Sequence, residues 1–296
     1  MPAGPVNHCP DTPPPAGPTT RAHRTPETSP RNSTSRSATG GASGPLGEPA
    51  GPEVCGLHAG GCRRSYAHGA LYWDPQTGRV SRLGLPVAAR YEAAGGPRAL
   101  GYARGDETAT PAPLSGGRIA SFPGGDVVWS AATGAHVLRG GLLLRWRQLQ
   151  GVLGFPVGSN TAVAGGSKVD FTGGSLFWSQ PTGVRMVRGS ILRRYVAAGG
   201  PAALGFPVID DGPTADRTGA FVRLQRGEIY WSARTGAHVV SGAVLDRWRS
   251  LGAHAGSLGY PVSGPTPLAD GTGVESRFQR GRIVAWTDGR VQVSSS

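Results

Sequence analysis

The sequence predicts a β-rich α+β fold. We expect a closed five-fold ring, a propeller-like toroid of β-hairpin plus short-helix repeats, behind a disordered N-terminal tail. Three observations predict it. Leu-Gly recurs at Leu46, Leu100, Leu153, Leu204 and Leu258, in steps of 54, 53, 51 and 54 residues. A second pattern keeps the same beat: a ring or Leu, a Gly three residues on, and a Trp four beyond that. The first recognisable piece is a Leu-Gly motif and the last is a Trp hairpin. That order splits the fifth unit between 44–50 and 278–293. Bringing the two halves together buries faces that an open array must cap, so closure is the expectation.

Taken in order, residues 1–43 are rich in Pro, Ser, Thr and Arg and almost free of large apolar residues. Such a segment cannot bury enough surface to offset chain entropy, so it reads as a disordered tail. The repeat region runs over 44–296. Its hairpins are exemplified by Gly227 to Ser232 and Ala237 to Val240, two short apolar runs joined through Gly236. A helix follows, with Val244, Leu245 and Trp248 on one face and Ser241 placed to cap it. Its counterparts are Leu142 to Trp146 and Ile191 to Tyr195. Then comes the Leu-Gly-aromatic-Pro stretch, read as a tight turn into the next hairpin. Leu83-Gly84-Leu85-Pro86 looks like that motif but falls at the helix position, and is a decoy. The last unit departs from the rest. Ala285 stands where the others have Trp, and the chain ends before a fifth helix.

The motifs Leu153-Gly154-Phe155-Pro156, Leu204-Gly205-Phe206-Pro207 and Leu258-Gly259-Tyr260-Pro261, with the Trp hairpins, resemble the LGFP-repeat family of actinobacterial cell envelopes. The resemblance covers Gly44 to the C-terminus. It implies a non-catalytic module holding an envelope protein to wall polysaccharide, arabinogalactan in kind. It also implies a cell-wall or extracellular place, although the N-terminus as given shows no apolar signal segment.

Candidate binding residues follow from the repeats. Trp73, Trp129, Trp178 and Trp231 could stack on sugar rings, but repeated Trp fills small cores equally well. Tyr102 and Tyr260 of the Leu-Gly motifs divide the same way, and as tyrosines they are read as the wetter rings. His136, Arg185 and His238 lie two beyond a hairpin Gly, with Val80 and Val291 at that offset in the other units. They could donate to hydroxyls or be satisfied internally. The pairs Asp106-Glu107 and Asp210-Asp211 are replaced by Ser159-Asn160, so they read as turns and not as a glycosidase dyad. No Gly-x-Ser-x-Gly elbow occurs. An enzyme is therefore not expected, a glycan hydrolase being the weakest alternative and a protein-interaction scaffold the stronger one.

Cys55, His58, Cys62 and His68 offer zinc ligand types without the paired spacing of a finger. A Cys55–Cys62 disulfide suits an exported chain and two free thiols a cytosolic one. No metal or cofactor is expected. The 30 basic and 18 acidic residues give a net charge of +12, yet no aromatic-basic motif supports nucleic-acid binding. No apolar run reaches the ~18 residues of a membrane span. The expected partner is a polysaccharide, and the chain is expected to be a monomer.

Overall fold

A computed structural model describes residues 44–295; the tail read at 1–43 lies outside them. Five four-stranded antiparallel sheets follow one another, spanning 49–84, 108–138, 161–187, 212–240 and 266–295. Each is a meander whose strands pair in chain order. In the fourth sheet the strands are Gly212–Pro213, Gly219–Leu224, Gly227–Ser232 and Gly236–Val240. The expected hairpin is thus the second half of a sheet. The ring or Leu that opens the Trp pattern ends the second strand, and a two-residue turn carries it into the third, as with Leu224 opposite Gly227.

Helices connect the sheets: α1 (Leu85–Ala93), α2 (Gly96–Leu100), α3 (Gly140–Leu153), α4 (Gly189–Ala197), α5 (Gly200–Leu204) and α6 (Gly242–Ser250). The apolar spacing read for α6 holds, because Val244, Leu245 and Trp248 are all buried. Ser241 does sit at the N-cap, but its hydroxyl makes no cap bond. Burial of the apolar face holds this helix. A ring the size of Trp248 is worth roughly 4–6 kcal/mol on area alone, before entropy is counted. The decoy resolves as expected: Gly84 ends a strand at φ −67°, and Leu85-Pro86 opens α1.

Each gap between consecutive sheets holds one core. The last gap packs Tyr230 and Val240 of the fourth sheet with Val244, Leu245 and Trp248 of α6. Leu258 and the fifth sheet's Phe278 and Ile283 complete it. The Leu of each motif therefore belongs to the sheet that follows. Leu46 packs with Tyr66 and Leu71 of the first sheet, and the hairpin at 278–293 receives Leu258. Residues 44–50 thus join the first sheet, whose first strand begins at Pro49. The fifth sheet has its own motif, and no helix follows it among the described residues.

Candidate functional site

The Leu-Gly-aromatic-Pro segment is a clasp between units, built from four contacts. The aromatic of each preceding helix donates to the carbonyl of the motif glycine. Tyr91 Oη reaches Gly101 O at 2.6 Å and Trp146 Nε1 reaches Gly154 O at 2.9 Å. Tyr195 Oη reaches Gly205 O at 2.6 Å and Trp248 Nε1 reaches Gly259 O at 3.1 Å. These glycines have φ between +72° and +77° with extended ψ where it is recorded, a region closed to side-chain-bearing residues. The ring directly after each of them then lies against the glycine at the start of the second strand of the preceding sheet. A Cβ on Gly166 would stand 2.7 Å from Phe206, and one on Gly219 2.6 Å from the Tyr260 hydroxyl. The motif proline bridges to the following sheet, as Pro207 does to Leu224.

The fourth contact corrects the reading of the acid pairs as local turns. Asp106 and Glu107 accept from Arg82 N at 2.8 Å and Gly84 N at 2.7 Å, on the edge strand of the preceding sheet. Ser159 and Asn160 accept from Val137 N and Arg139 N, and Asp210 accepts from Met186 N. Any short side chain with an acceptor serves, which is why Asp, Glu, Ser and Asn interchange. Asp211 takes a bond from Arg188 Nε at 3.3 Å, and burial pushes its carboxyl up despite that arginine. At two junctions the arginine one before the helix aromatic secures such a segment. Arg90 bonds Ser159 Oγ at 3.0 Å, and Arg145 pairs with Asp210 at 2.5 Å.

Beside the clasp joining the first two sheets lies a groove of about 340 Å³, lined by His68, Leu85, Pro86, Glu107, Arg118 and Trp129. A second hollow of about 170 Å³ shares His68, Glu107 and Arg118 and adds Arg82 and Leu46. Glu107 is largely buried; one oxygen accepts from Gly84 N and the other from Arg118 Nε at 3.0 Å. The guanidinium is thereby fixed next to Trp129, its cross-strand partner. A flat ring, a fixed guanidinium and an imidazole on an apolar floor make a surface suited to a hydroxylated ring.

The LGFP repeat model matches residues 46–98, 100–152, 153–202 and 204–256. The chain belongs to the LGFP-repeat family. The fifth LGFP motif, Leu258 to Pro261, lies beyond the matched residues. No curated protein matches the chain. Solved structures overlap it only loosely. Virginiamycin B lyase from Staphylococcus aureus does so at 10% identity over 84% of this chain and 70% of that one, with a TM-score of 0.14. The extracellular domain of the one-component system BT4673 from B. thetaiotaomicron gives 14% identity over 80% and 30%, with a TM-score of 0.17. A luciferin-regenerating enzyme gives 9% over 79% and 71%, with a TM-score of 0.15. Overlaps this loose say nothing of architecture.

The LGFP geometry sorts the sequence-derived residues. Trp129 lines the groove, and Trp178, at 40% exposed, presents its ring near Gly141 at the start of α3. Trp231 lies half-buried against the core between the third and fourth sheets, and Trp73 is half-buried at the end of its strand. Tyr260 is buried and not a wet ring, whereas Tyr102 is half-buried. Tyr102 donates to His58 O at 2.7 Å, and the Tyr260 hydroxyl lies 2.8 Å from Thr218 Oγ1 and 3.0 Å from Thr214 Oγ1. Both are wedges in the clasp, and at Tyr260 the hydroxyl is drawn inward. His136 and His238 each place Nε2 2.7 Å from a carbonyl of their own turn, Thr133 O and Thr235 O. Arg185 donates to Val208 O at 2.9 Å. By strand register their counterparts are Ser81 and Gln292, not Val80 and Val291: the turn in the first sheet is one residue longer, and in the fifth the turn glycine, Gly289, falls one residue earlier.

Cys55 and Cys62 face each other across the first two strands and form a disulfide. Both sulfurs are thereby withdrawn from the zinc set. No helix among the described residues is long and apolar enough to cross a membrane. Reasoning from sequence took His68 only as a zinc ligand type and missed Arg118. Arg118 sits 11 residues before Trp129, a spacing that places two residues opposite each other across a hairpin.

Proposed function

We propose that this LGFP-repeat chain is a non-catalytic module that anchors to cell-envelope polysaccharide, arabinogalactan-like, from a cell-wall or extracellular position. The observation that carries the reading is the groove in which Trp129 stands beside the Glu107–Arg118 pair. The disulfide supports an oxidising compartment. The two acid pairs spend their oxygens on backbone N–H groups and arginines, which argues against a hydrolase.

The five units close into a ring in this reading, as a monomer. Two burials support closure. Leu71, on the outer face of the first sheet, is 3% exposed, and Val284, on the outer face of the fifth, is 8% exposed. By register these positions face the inter-unit helices elsewhere, and among the described residues no helix lies before the first sheet or after the fifth. A ring lets the two sheets cover each other.

Co-sedimentation with purified arabinogalactan, washed in about 0.5 M salt, tests the reading, because screening removes simple charge attraction at that strength. Retention is expected. A protein-interaction scaffold is the second reading, favoured by the exposed Leu144 and Val196 on α3 and α4. It predicts no retention on the polysaccharide.

A further inference from the structure

The units are of two alternating kinds. In the second and fourth, the helix aromatic is Trp followed by Arg, and that arginine reaches a buried acid. Arg147 pairs with Asp126 and Arg249 with Glu228, each at 2.6 Å. In the first and third, the helix aromatic is Tyr, and the chain continues as Gly-Gly-Pro-x-Ala-Leu-Gly, at 95–101 and 199–205. That motif forms the short helices α2 and α5. Each of them walls a groove against the loop joining the first two strands of the preceding sheet.

The first groove, about 530 Å³, runs between Gly56, Leu57 and His58 and the wall of Gly95, Gly96, Pro97 and Arg98, with Glu92 at its edge. The second, about 370 Å³, runs between Ala164-Gly165 and Pro201-Ala202, with Phe206, Gln225 and Arg226. They are the same place in the fold, one pair of units apart. Each contains a hydrogen-bonding side chain already pinned by a neighbour. Glu92 receives the Tyr72 hydroxyl and pairs with Arg63 at 3.2 Å. Gln225 accepts from Phe206 N at 2.8 Å through Oε1, which holds the amide at the groove. Each also contains a guanidinium, Arg98 on the wall in one and Arg226 on the facing hairpin in the other. Arg226 is fixed by the carbonyls of Pro201, Ala202 and Ala203.

An acid stands in only one groove, so the two share no charge preference. What they share is a wall from the Gly-Gly-Pro-x segment, Pro97-Arg98 in one and Pro201-Ala202 in the other, with a pinned polar side chain and a guanidinium in the lining. That combination recognises the hydroxyls of a neutral sugar better than an ion. We propose that the two grooves are equivalent subsites for a neutral glycan, one per pair of units, that engage one polymer together. The inference rests on the glycan-binding reading above and extends it from the Trp129 groove to a two-unit period. Linked sites on one chain raise the effective concentration of the second once the first is filled.

The test is a titration of the full chain with short oligosaccharides cut from purified arabinogalactan, followed by NMR of labelled glycine amides and tryptophan indoles. We expect shifts at both glycine pairs, Gly95-Gly96 and Gly199-Gly200. Arg98→Trp should abolish the first set and Ala202→Trp the second, both positions being exposed on their helices. The double variant should lose roughly tenfold or more in retention on the polymer. Thermal melting of each variant controls for folding, and Arg98→Ala and Gln225→Ala, which block nothing, should weaken each set without abolishing the fold. Shifts confined to the Trp129 indole would overturn the two-groove proposal and leave glycan binding standing. No shift at any of these signals would overturn both.

Discussion

The phenol of Tyr195 donates to the carbonyl of Gly205 at 2.6 Å, and the same geometry ties Trp248 to Gly259. One helix aromatic thus fixes the backbone of the motif that follows it, across each junction that has a helix. Burial pushes the Tyr195 phenol up, so it remains a donor throughout the ordinary pH range. Tyr195→Phe keeps the ring and leaves Gly205 O buried without its partner. It should cost about 1–3 kcal/mol in denaturant unfolding. Gly205→Ala should cost a similar amount or more, because its φ of +73° is strained for alanine and its Cβ would meet Gln225 at 2.6 Å.

Acid sensitivity should trace in part to Asp216. Thr214 Oγ1 donates to it at 2.7 Å, and Thr218 adds bonds from its amide and hydroxyl. These donors lower its carboxyl from 3.8 to about 2. A depressed carboxyl contributes stability that is present above the unfolded value and lost as pH falls through the folded one. The wild type should therefore lose stability between about pH 4 and pH 2 more steeply than Asp216→Asn, in urea titrations across that window. The same loop holds the Tyr260 hydroxyl, so Tyr260 absorbance should report the change.

Reducing Cys55–Cys62 should lower stability by about 2–3 kcal/mol, the loop-closure entropy of so short a loop. The loop it closes carries His58, whose carbonyl receives Tyr102. Melting with and without reductant measures the loss, and Cys55→Ser with Cys62→Ser should remove the difference.

Ring closure has a dimensional signature. A compact body of the 44–295 fragment has a radius of gyration of about 18 Å, and an open array of five sheets exceeds it clearly. Solution scattering should give the smaller value.

Much of this was legible in the sequence, and for a physical reason. Period, Leu-Gly glycines and helix aromatics repeat because each unit must solve the same local problem, and a repeated solution shows as a repeated letter. Val244, Leu245 and Trp248 needed only the helical spacing. What stayed hidden crosses between units. The first strand of each sheet can be as short as Gly212–Pro213, too little for alternation to register. Asp106 and Glu107 looked like a turn because their partners, Arg82 and Gly84, lie 24 and 23 residues away. Tyr260 looked wet because a clasp ring and a surface ring share one sequence pattern. The glycines that the motif rings cover, at 61, 117, 166 and 219, stand five residues before the ring or Leu of each Trp pattern, a regularity that could have been read.

The account rests on sugar capture at the groove beside Trp129, and one comparison tests it most directly. Retention of wild type and Trp129→Ala on purified arabinogalactan would be measured in parallel, after a wash in about 0.5 M salt. We predict that wild type is retained and that the variant, folded by its melting curve, binds roughly tenfold more weakly. Equal retention of the two, or release of wild type by salt, would contradict the account.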